Sequence, residues 1–281
     1  AGGSIGSELS RLIAAHAPGR LILLGRGENS IFEIHQELLA SHPDAELIPV
    51  IADIRNERRI DAIFAQHQPD IVFHAAAHKH VPLMEAQPGE AIENNVFGTK
   101  TVIDAAIRHG VKRFVNVSSD KAVRPTSIMG ATKRIVELLV AAADASTEPD
   151  VAFVSVRFGN VLGSRGSVVP IFARQIAAGG PVTITDKRMT RYFMTIPEAA
   201  HLVLHTAAMA QSGTLYFLDM GEPVRIIDLA ENLIRLASLE PDVDIRIVEA
   251  GMRPGEKLYE ELTYEPGSTR TSFHPKVLAV A

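Results

Sequence analysis

The feature that most constrains this chain is the alternation of short apolar runs with helical patterns between residues 1 and 158. Buried strands are predicted at 21–24, 46–51, 71–74, 114–117 and 151–156. Helices are predicted between them, the longest over about 90–109 and 128–143. Because parallel strands need crossover helices, this rhythm predicts an α/β fold with a doubly wound parallel sheet.

A second, smaller lobe is predicted beyond this sheet. After Gly159 the alternation loosens into loops rich in Gly, Ser, Arg and Thr, and helices resume only near residues 197 and 226. We therefore predict a first domain over 1–158 and a C-terminal substrate lobe over 159–281. The lobe is expected to be partly interwoven with the first domain.

The composition excludes several classes of chemistry. The chain has no cysteine, which excludes disulfides, iron–sulfur clusters, thiolate metal sites and a cysteine nucleophile. Its formal net charge of −5 argues against a nucleic-acid partner. No apolar run approaches the roughly 18 residues of a membrane span, so we expect no membrane contact from this segment.

A glycine-rich turn opens the sequence. Gly3, Ser4, Ile5 and Gly6 lead into a predicted helix, and such a turn lets backbone N–H groups approach a pyrophosphate. A glycine-rich chain end would look the same, so the turn alone is a weak signal for a Rossmann-like NAD(P)-binding domain. Because the sequence starts within this turn, we expect the first strand to lie upstream of Ala1.

Residues after the next strands fit a dinucleotide. Arg26 lies about 20 residues beyond the turn, where its guanidinium suits the 2′-phosphate of NADP, whereas Glu28 keeps NAD open. Asp53 and Ile54 follow the third strand, and the carboxylate of Asp53 can accept from an adenine amino group. We therefore expect a nicotinamide cofactor, and NADP rather than NAD. Backbone passing close to this cofactor is expected at Ala75 and Ala76.

A polar constellation follows the strand at 114–117. Ser119, Asp120 and Lys121 come directly after it, and Met129 and Lys133 lie one turn apart on the next helix. Strand ends of open α/β sheets bind ligands at their carboxyl edge, so we expect these five residues to converge there. An ordinary surface ion pair is the competing interpretation of Asp120 and Lys121.

The sequence resembles the short-chain dehydrogenase/reductase superfamily, which has Tyr-x-x-x-Lys on this helix. With Met129 in place of that tyrosine, it is similar to one branch, the CapD-like nucleotide-sugar 4,6-dehydratases of polysaccharide biosynthesis. The resemblance covers essentially the whole chain. The motifs that carry it are FHAAAHKHVPLME (73–85), SSDKAVRPTSIMGATKR (118–134), RFGNVLGS (157–164), MTRYFMT (189–195) and RPGEK (253–257).

The resemblance implies oxidation of a sugar at C4, elimination of water across C5 and C6, and return of the hydride to C6. It makes Asp120 the acid for the leaving 6-hydroxyl and Lys121 the base at C5, provided that burial and Lys133 lower the pKa of Lys121. Lys133 would hold the nicotinamide ribose. Met129 cannot ionise, so the 4-hydroxyl proton must pass to Asp120, either directly or through Ser119 or water.

Candidate substrate contacts lie mostly in the second lobe. Arg191 and Arg253 suit a diphosphate because a guanidinium binds phosphate bidentately. Lys79 is expected to face phosphates, and Glu256 to accept from uridine ribose hydroxyls. Asn160 resembles the family's sugar-diphosphate contact, and Ser167 is either a ligand contact or a helix N-cap. The His78 and His80 pair lacks further ligands at metal spacing, so no metal site is expected.

The hypothesis that we favour is that the chain is a UDP-N-acetylglucosamine 4,6-dehydratase for the biosynthesis of capsule or another surface polysaccharide. A UDP-sugar 4-epimerase is the alternative within the superfamily, and a non-catalytic cofactor-binding regulator is the alternative outside enzymes. We expect a homo-oligomer. The resemblance implies a cytoplasmic location, either alone or as a domain of a longer inner-membrane protein.

Overall fold

The structure is a computed structural model that describes residues 1–148, 150–264 and 269–280. In these ranges the helices are α1 (Ser4–Ala15), α2 (Glu28–Ser41), α3 (Glu57–His67), α4 (Val81–Ala86), α5 (Pro88–Ala91), α6 (Gly98–Arg108), α7 (Ile128–Asp144), α8 (Val168–Ala177), α9 (Ile196–Met209) and α10 (Ile226–Leu236). A π-helical turn at Ile92–Phe97 joins α5 to α6, and a 3₁₀ turn at Asp120–Ala122 precedes α7.

The strands in the same ranges are β1 (Leu21–Gly25), β2 (Leu47–Ile51), β3 (Ile71–His74), β4 (Arg113–Val117), β5 (Ala152–Arg157), β6 (Asn160–Val161), β7 (Val182–Ile184), β8 (Thr190–Arg191), β9 (Phe193–Met194), β10 (Leu215–Leu218), β11 (Val224–Arg225), β12 (Ile247–Glu249), β13 (Thr269–His274) and β14 (Val277–Val280). The main sheet has the order β13-β14-β10-β5-β4-β3, and β1 pairs with β2 separately.

The predicted α/β fold is confirmed, with a mixed rather than a purely parallel sheet. Strands β3, β4, β5 and β10 are parallel, whereas β14 is antiparallel to β10 and β13 is antiparallel to β14. The sequence periodicity did not predict this terminal hairpin. Strands β10, β13 and β14 all come from beyond residue 158 and extend the sheet of the first domain, and the division of the chain at that residue stays a prediction.

Helices cover both faces of the sheet, and neighbouring residues of β4 pack on opposite sides. Val115 joins a core with α1 and α9, whereas Phe114 packs with side chains of α3, α6 and α7. Burial on both faces explains why β4 and β5 are continuous apolar runs rather than alternating ones.

The edge strands β1 and β3 both line one cavity of about 1490 Å³. The strand expected upstream of Ala1 stays a prediction.

A separate apolar core lies within residues 168–258. Side chains of α8, β7 and α10 form it, including Phe172, Ile184 and Ile234, which are at most 2% exposed. Residues of this core and residues that follow β4 and β5 line the same cavity. Among the described residues, no helix is long and apolar enough to cross a membrane.

Candidate active site

Four of the predicted residues meet where β4 and β5 end. Because these strands are parallel neighbours, their carboxyl ends bring Asp120 and Asn160 to one edge of the sheet. The Nζ atom of Lys121 lies 3.0 Å from Asp120 Oδ1 and 3.3 Å from Asn160 Oδ1. The Ser119 hydroxyl donates to Asp120 Oδ1 at 2.8 Å. The constellation is therefore a buried, connected cluster and not a surface ion pair.

Helix α7 passes directly against this cluster. Ser127 caps it, because its Oγ accepts a hydrogen bond from Gly130 N at 3.0 Å. A Cβ atom at Gly130 would lie 2.3 Å from the carbonyl oxygen of Lys121, so only glycine lets the helix come this close.

The two residues on the inner face of α7 have different surroundings. Lys133 is buried and donates from Nζ to the carbonyl oxygen of Val117 at 2.7 Å, which joins the helix to the end of β4. Burial lowers the pKa of Lys133 to about 8. Met129 is 3% exposed and packs in an apolar cluster with Val81, Met84 and Ala91.

A buried ion pair beneath the site holds β5 to α7. Arg157 donates to Glu137 from Nε at 2.7 Å and from Nη2 at 2.6 Å, and Arg157 is 0% exposed. The Ser118 hydroxyl donates to the same carboxylate at 2.6 Å. The pair therefore fixes the strand end from which Ser119 and Asp120 project.

The residues around the larger cavity fit a dinucleotide. Its lining includes Gly3 and Gly6, Arg26, Asp53 and Ile54, and Ala75 and Ala76. The first N–H groups of α1 have no intrahelical partners, and the helix has no side-chain cap. A Cβ at Gly6 would lie 2.6 Å from the carbonyl oxygen of Ala1, whereas Gly3 has open space beside it. These features suit a pyrophosphate at the helix N-terminus.

Not every predicted cofactor residue lies in this lining. Ser4 and Ile5 lie in the first turn of α1 and do not line the cavity. Lys133 does not line it either. Arg165 lies over the turn, with its backbone N–H donating to Ser4 Oγ at 3.2 Å and its guanidinium donating to the carbonyl oxygen of Gly2. Arg165 therefore adds a positive charge to the cradle that the sequence did not predict.

Two guanidinium groups lie close to Asp53, which lines the larger cavity. Arg55 donates to Asp53 from Nε and from Nη2, the latter at 2.6 Å, and this contact lowers the pKa of Asp53 to about 2. Arg26 lies 3.6 Å from the same carboxylate, and its side chain is 58% exposed. Sequence reasoning identified Arg26 and Asp53 but missed Arg55.

A second cavity of about 540 Å³ lies between the sheet edge and the lobe. Its lining includes most of the predicted substrate residues, namely Lys79, Asn160, Arg191, Arg253 and Glu256, together with Lys121. The Ser167 hydroxyl is buried without a hydrogen-bond partner; Ser167 is the N-cap residue of α8, but its side chain does not cap the helix. The structure thus gathers these residues beside the catalytic candidates.

The two arginines that were predicted to bind the diphosphate differ in burial and in the contacts that they make within the protein. Arg191 is buried, and its guanidinium donates to the carbonyl oxygens of Thr190 and Lys257, each at 2.7 Å, and of Leu258. The side chain of Arg253 is 58% exposed, and within residues 1–148, 150–264 and 269–280 its one ion-pair partner is Glu256 at 2.5 Å. Arg253 can therefore turn toward a ligand, while Arg191 mainly holds the segment around residue 258.

The condition that we set for Lys121 as a base is not met. Burial lowers the pKa of Lys121, but attraction to Asp120 and Glu260 outweighs it, and the pKa is raised overall. Glu260 Oε1 lies 3.5 Å from Lys121 Nζ, and the Glu260 side chain is 2% exposed. Sequence reasoning missed Glu260, which has no signal beyond its closeness to the RPGEK motif.

The sheet, the glycine turn beside one cavity and Lys121 beside a second cavity together define a Rossmann-like α/β domain with two cavities. The chain belongs to the polysaccharide biosynthesis protein family, whose profile matches residues 1–281.

Individual relatives agree with this assignment. The chain is 54% identical over 277 residues to the capsular polysaccharide biosynthesis protein CapD of Staphylococcus aureus, covering 98% of this chain and 45% of that protein. It thus spans about half the length of CapD. It is 36% identical to an inverting UDP-N-acetylglucosamine 4,6-dehydratase of Campylobacter jejuni, covering 94% of this chain and 78% of that protein.

Among solved structures, Pen from Bacillus thuringiensis has the same fold. The TM-score is 0.90 at 36% identity, and the alignment covers 99% of this chain and 86% of Pen.

Proposed function

We propose that this chain is a nicotinamide-dependent nucleotide-sugar 4,6-dehydratase that acts on UDP-N-acetylglucosamine. The observation that carries the proposal is the ion pair between the buried Asp120 and Lys121, because Lys121 lines a substrate-sized cavity and the larger cavity carries the glycine turn. The 36% identity to a UDP-N-acetylglucosamine 4,6-dehydratase supports this substrate. The bound nicotinamide would take a hydride from C4 of the sugar and return it to C6.

The proton chemistry then falls to the residues of this chain. Asp120, through its bond to Ser119, can take the 4-hydroxyl proton and deliver it to the leaving 6-hydroxyl. Met129 packs in its apolar cluster and transfers no proton. Lys133 orients the nicotinamide ribose, and Lys121 carries positive charge at the reacting carbons.

Binding is divided between the two cavities. The larger cavity would hold NADP, with the pyrophosphate at Gly3–Gly6 and Arg26 at the ribose phosphate. NAD is the alternative that Glu28 keeps open. In the smaller cavity, Lys79 and Arg253 would bind the diphosphate and Glu256 the uridine ribose, with Asn160 nearer the sugar. Ser167 does not line this cavity, although its neighbours Gly166 and Val168 do, and we propose it as a further contact to the sugar.

The wider setting is also a proposal. We infer a role in surface polysaccharide assembly, in the cytoplasm, either as a separate protein or as the catalytic domain of a longer membrane protein. Exposed apolar side chains on α6 and α7, among them Ile107, Ile135 and Leu138, support a homo-oligomer in which a second copy covers them. Light scattering on the purified protein tests this assembly.

Incubation of the protein with UDP-N-acetylglucosamine and either cofactor separates the candidate functions. A dehydratase releases one water, which mass spectrometry detects in the product. A 4-epimerase gives a product of unchanged mass but altered configuration, and a regulator gives no product. An Asp120→Asn variant is the matched control, since it keeps the shape of the site and removes the acid.

A further inference from the structure

One short segment of the chain lines both cavities. It comprises residues 163–167, between β6 and α8, and it turns sharply at Gly163 and Gly166, whose φ angles are 73° and 69°. Arg165 lines the larger cavity, whereas Gly166 lines the smaller one. The segment can therefore contact ligands in both cavities at the same time.

On the side of the larger cavity, Arg165 lies over the glycine turn that opens α1. Its backbone N–H donates to Ser4 Oγ at 3.2 Å, and its Nη2 donates to the carbonyl oxygen of Gly2. Within residues 1–148, 150–264 and 269–280, Nε and Nη1 of Arg165 have no hydrogen-bond partner. These N–H groups are free to donate to an anion that lies on the turn.

On the side of the smaller cavity, the same segment contacts Lys79. The Nζ atom of Lys79 donates to Ser164 Oγ at 3.3 Å, and Ser164 is 4% exposed. Lys79 lines the smaller cavity, where we place the substrate diphosphate. A phosphate bound by Lys79 would therefore lie one hydrogen bond away from the residue that precedes Arg165.

Arg165 and Lys79 bring like charges to the two ends of this contact. In the described part of the chain, neither residue has a carboxylate oxygen within 4.0 Å. Desolvation, followed by the charges of Arg165 and Lys121, lowers the pKa of Lys79. The repulsion between the two cations opposes this position of the segment until an anion binds beside one of them.

We propose that Arg165 binds the pyrophosphate of the nicotinamide cofactor, and that the segment 163–167 thereby couples cofactor binding to binding of the substrate diphosphate. This inference rests on the proposed function. The free N–H groups of Arg165 donate to a phosphate oxygen above the glycine turn, while Lys79 donates to the diphosphate in the smaller cavity. The first ligand holds the segment in place against the repulsion, so the second ligand binds without that cost.

Calorimetric titration with NADP, and separately with NAD, tests the contact with the cofactor. Arg165→Leu should raise the Kd of the cofactor by about 10- to 100-fold, because a charge-assisted contact is lost. Arg165→Lys should recover part of the affinity, since an ammonium keeps the charge but not the paired donors. Arg174→Leu is the matched control, because Arg174 is an exposed arginine of α8 that lines neither cavity.

The coupling is measured by repeating the titration with saturating UDP, which supplies the diphosphate without the sugar. UDP should tighten cofactor binding to the wild type by about five-fold or more, and to Arg165→Leu by a clearly smaller factor. Uridine, which has no phosphate, should tighten neither. A cofactor Kd in Arg165→Leu equal to that of the wild type, or an equal effect of UDP on both proteins, overturns the proposal.

These titrations also separate this inference from the proposed function. A wild type that binds the cofactor and UDP but releases no water from UDP-N-acetylglucosamine overturns the proposed reaction alone. A wild type that binds neither NADP nor NAD overturns both. If circular dichroism shows that Arg165→Leu does not fold, Arg165→Gln decides, because it removes the same charge and should show the same two losses.

Discussion

Replacing Glu137 with methionine tests the ion pair that fixes the active-site strand end. The change removes both hydrogen bonds of Arg157, at 2.7 and 2.6 Å, and leaves its guanidinium buried. Losing one partner of a buried ion pair costs about 3–5 kcal/mol. The Ser118 hydroxyl also loses its acceptor, which adds roughly 1 kcal/mol. We expect Glu137→Met to lower the free energy of unfolding by about 4–6 kcal/mol.

Urea denaturation followed by circular dichroism measures this loss. Glu46→Met is the control, because Glu46 pairs with Arg20 at the surface, with both side chains at least 44% exposed. Its loss should cost at most about 1 kcal/mol. The double variant Glu137→Met, Arg157→Met should recover most of the stability, since no unpaired charge stays buried. A Glu137→Met cost no larger than that of the surface control would refute the reasoning.

Three further predictions concern Lys133, Arg26 and the two arginines of the cleft. Lys133→Met should raise the free energy of unfolding at pH 7 by up to about 3 kcal/mol, because burial penalises the ammonium. The gain should shrink as the pH rises from about 8 toward 10.5, since the folded state loses this proton first; equal gains at both ends would contradict it. Arg26→Asp should weaken NADP binding more than NAD binding in calorimetry, and equal losses would show that Arg26 does not bind the 2′-phosphate. Arg253→Ala should raise the substrate KM by about 10- to 100-fold without changing the melting temperature, whereas Arg191→Ala should lower the melting temperature; the reverse pattern would exchange their roles.

The sequence predicted the central strands β4 and β5 well because their residues are buried on both faces. Its errors arose where tertiary contacts decide the local structure. The helix expected over about 90–109 contains the π-helical turn at Ile92–Phe97, which turns Asn95 inward. There Asn95 accepts from the N–H of His78 and donates to its carbonyl oxygen, contacts that helical periodicity does not reveal.

The candidate site also depends in part on tertiary contacts that the sequence pattern does not reveal. Asp120, Lys121 and Lys133 follow one strand and the next helix, so their convergence could be expected from topology. The contact of Glu260 with Lys121 joins residues far apart in sequence, and a loop after β12 places it. The hydrogen bonds from Arg191 to backbone carbonyl oxygens also depend on that loop. No sequence motif distinguishes the buried Arg191 from the exposed Arg253.

The fate of the C4 hydrogen tests the central claim most directly. UDP-N-acetylglucosamine labelled with deuterium at C4 is mixed with an equal amount of unlabelled substrate and converted in a single reaction. A dehydratase of the proposed kind gives a dehydrated product with deuterium at C6, in the same molecules that carried the label at C4. Label that stays at C4 in a product of unchanged mass would identify an epimerase and contradict the account.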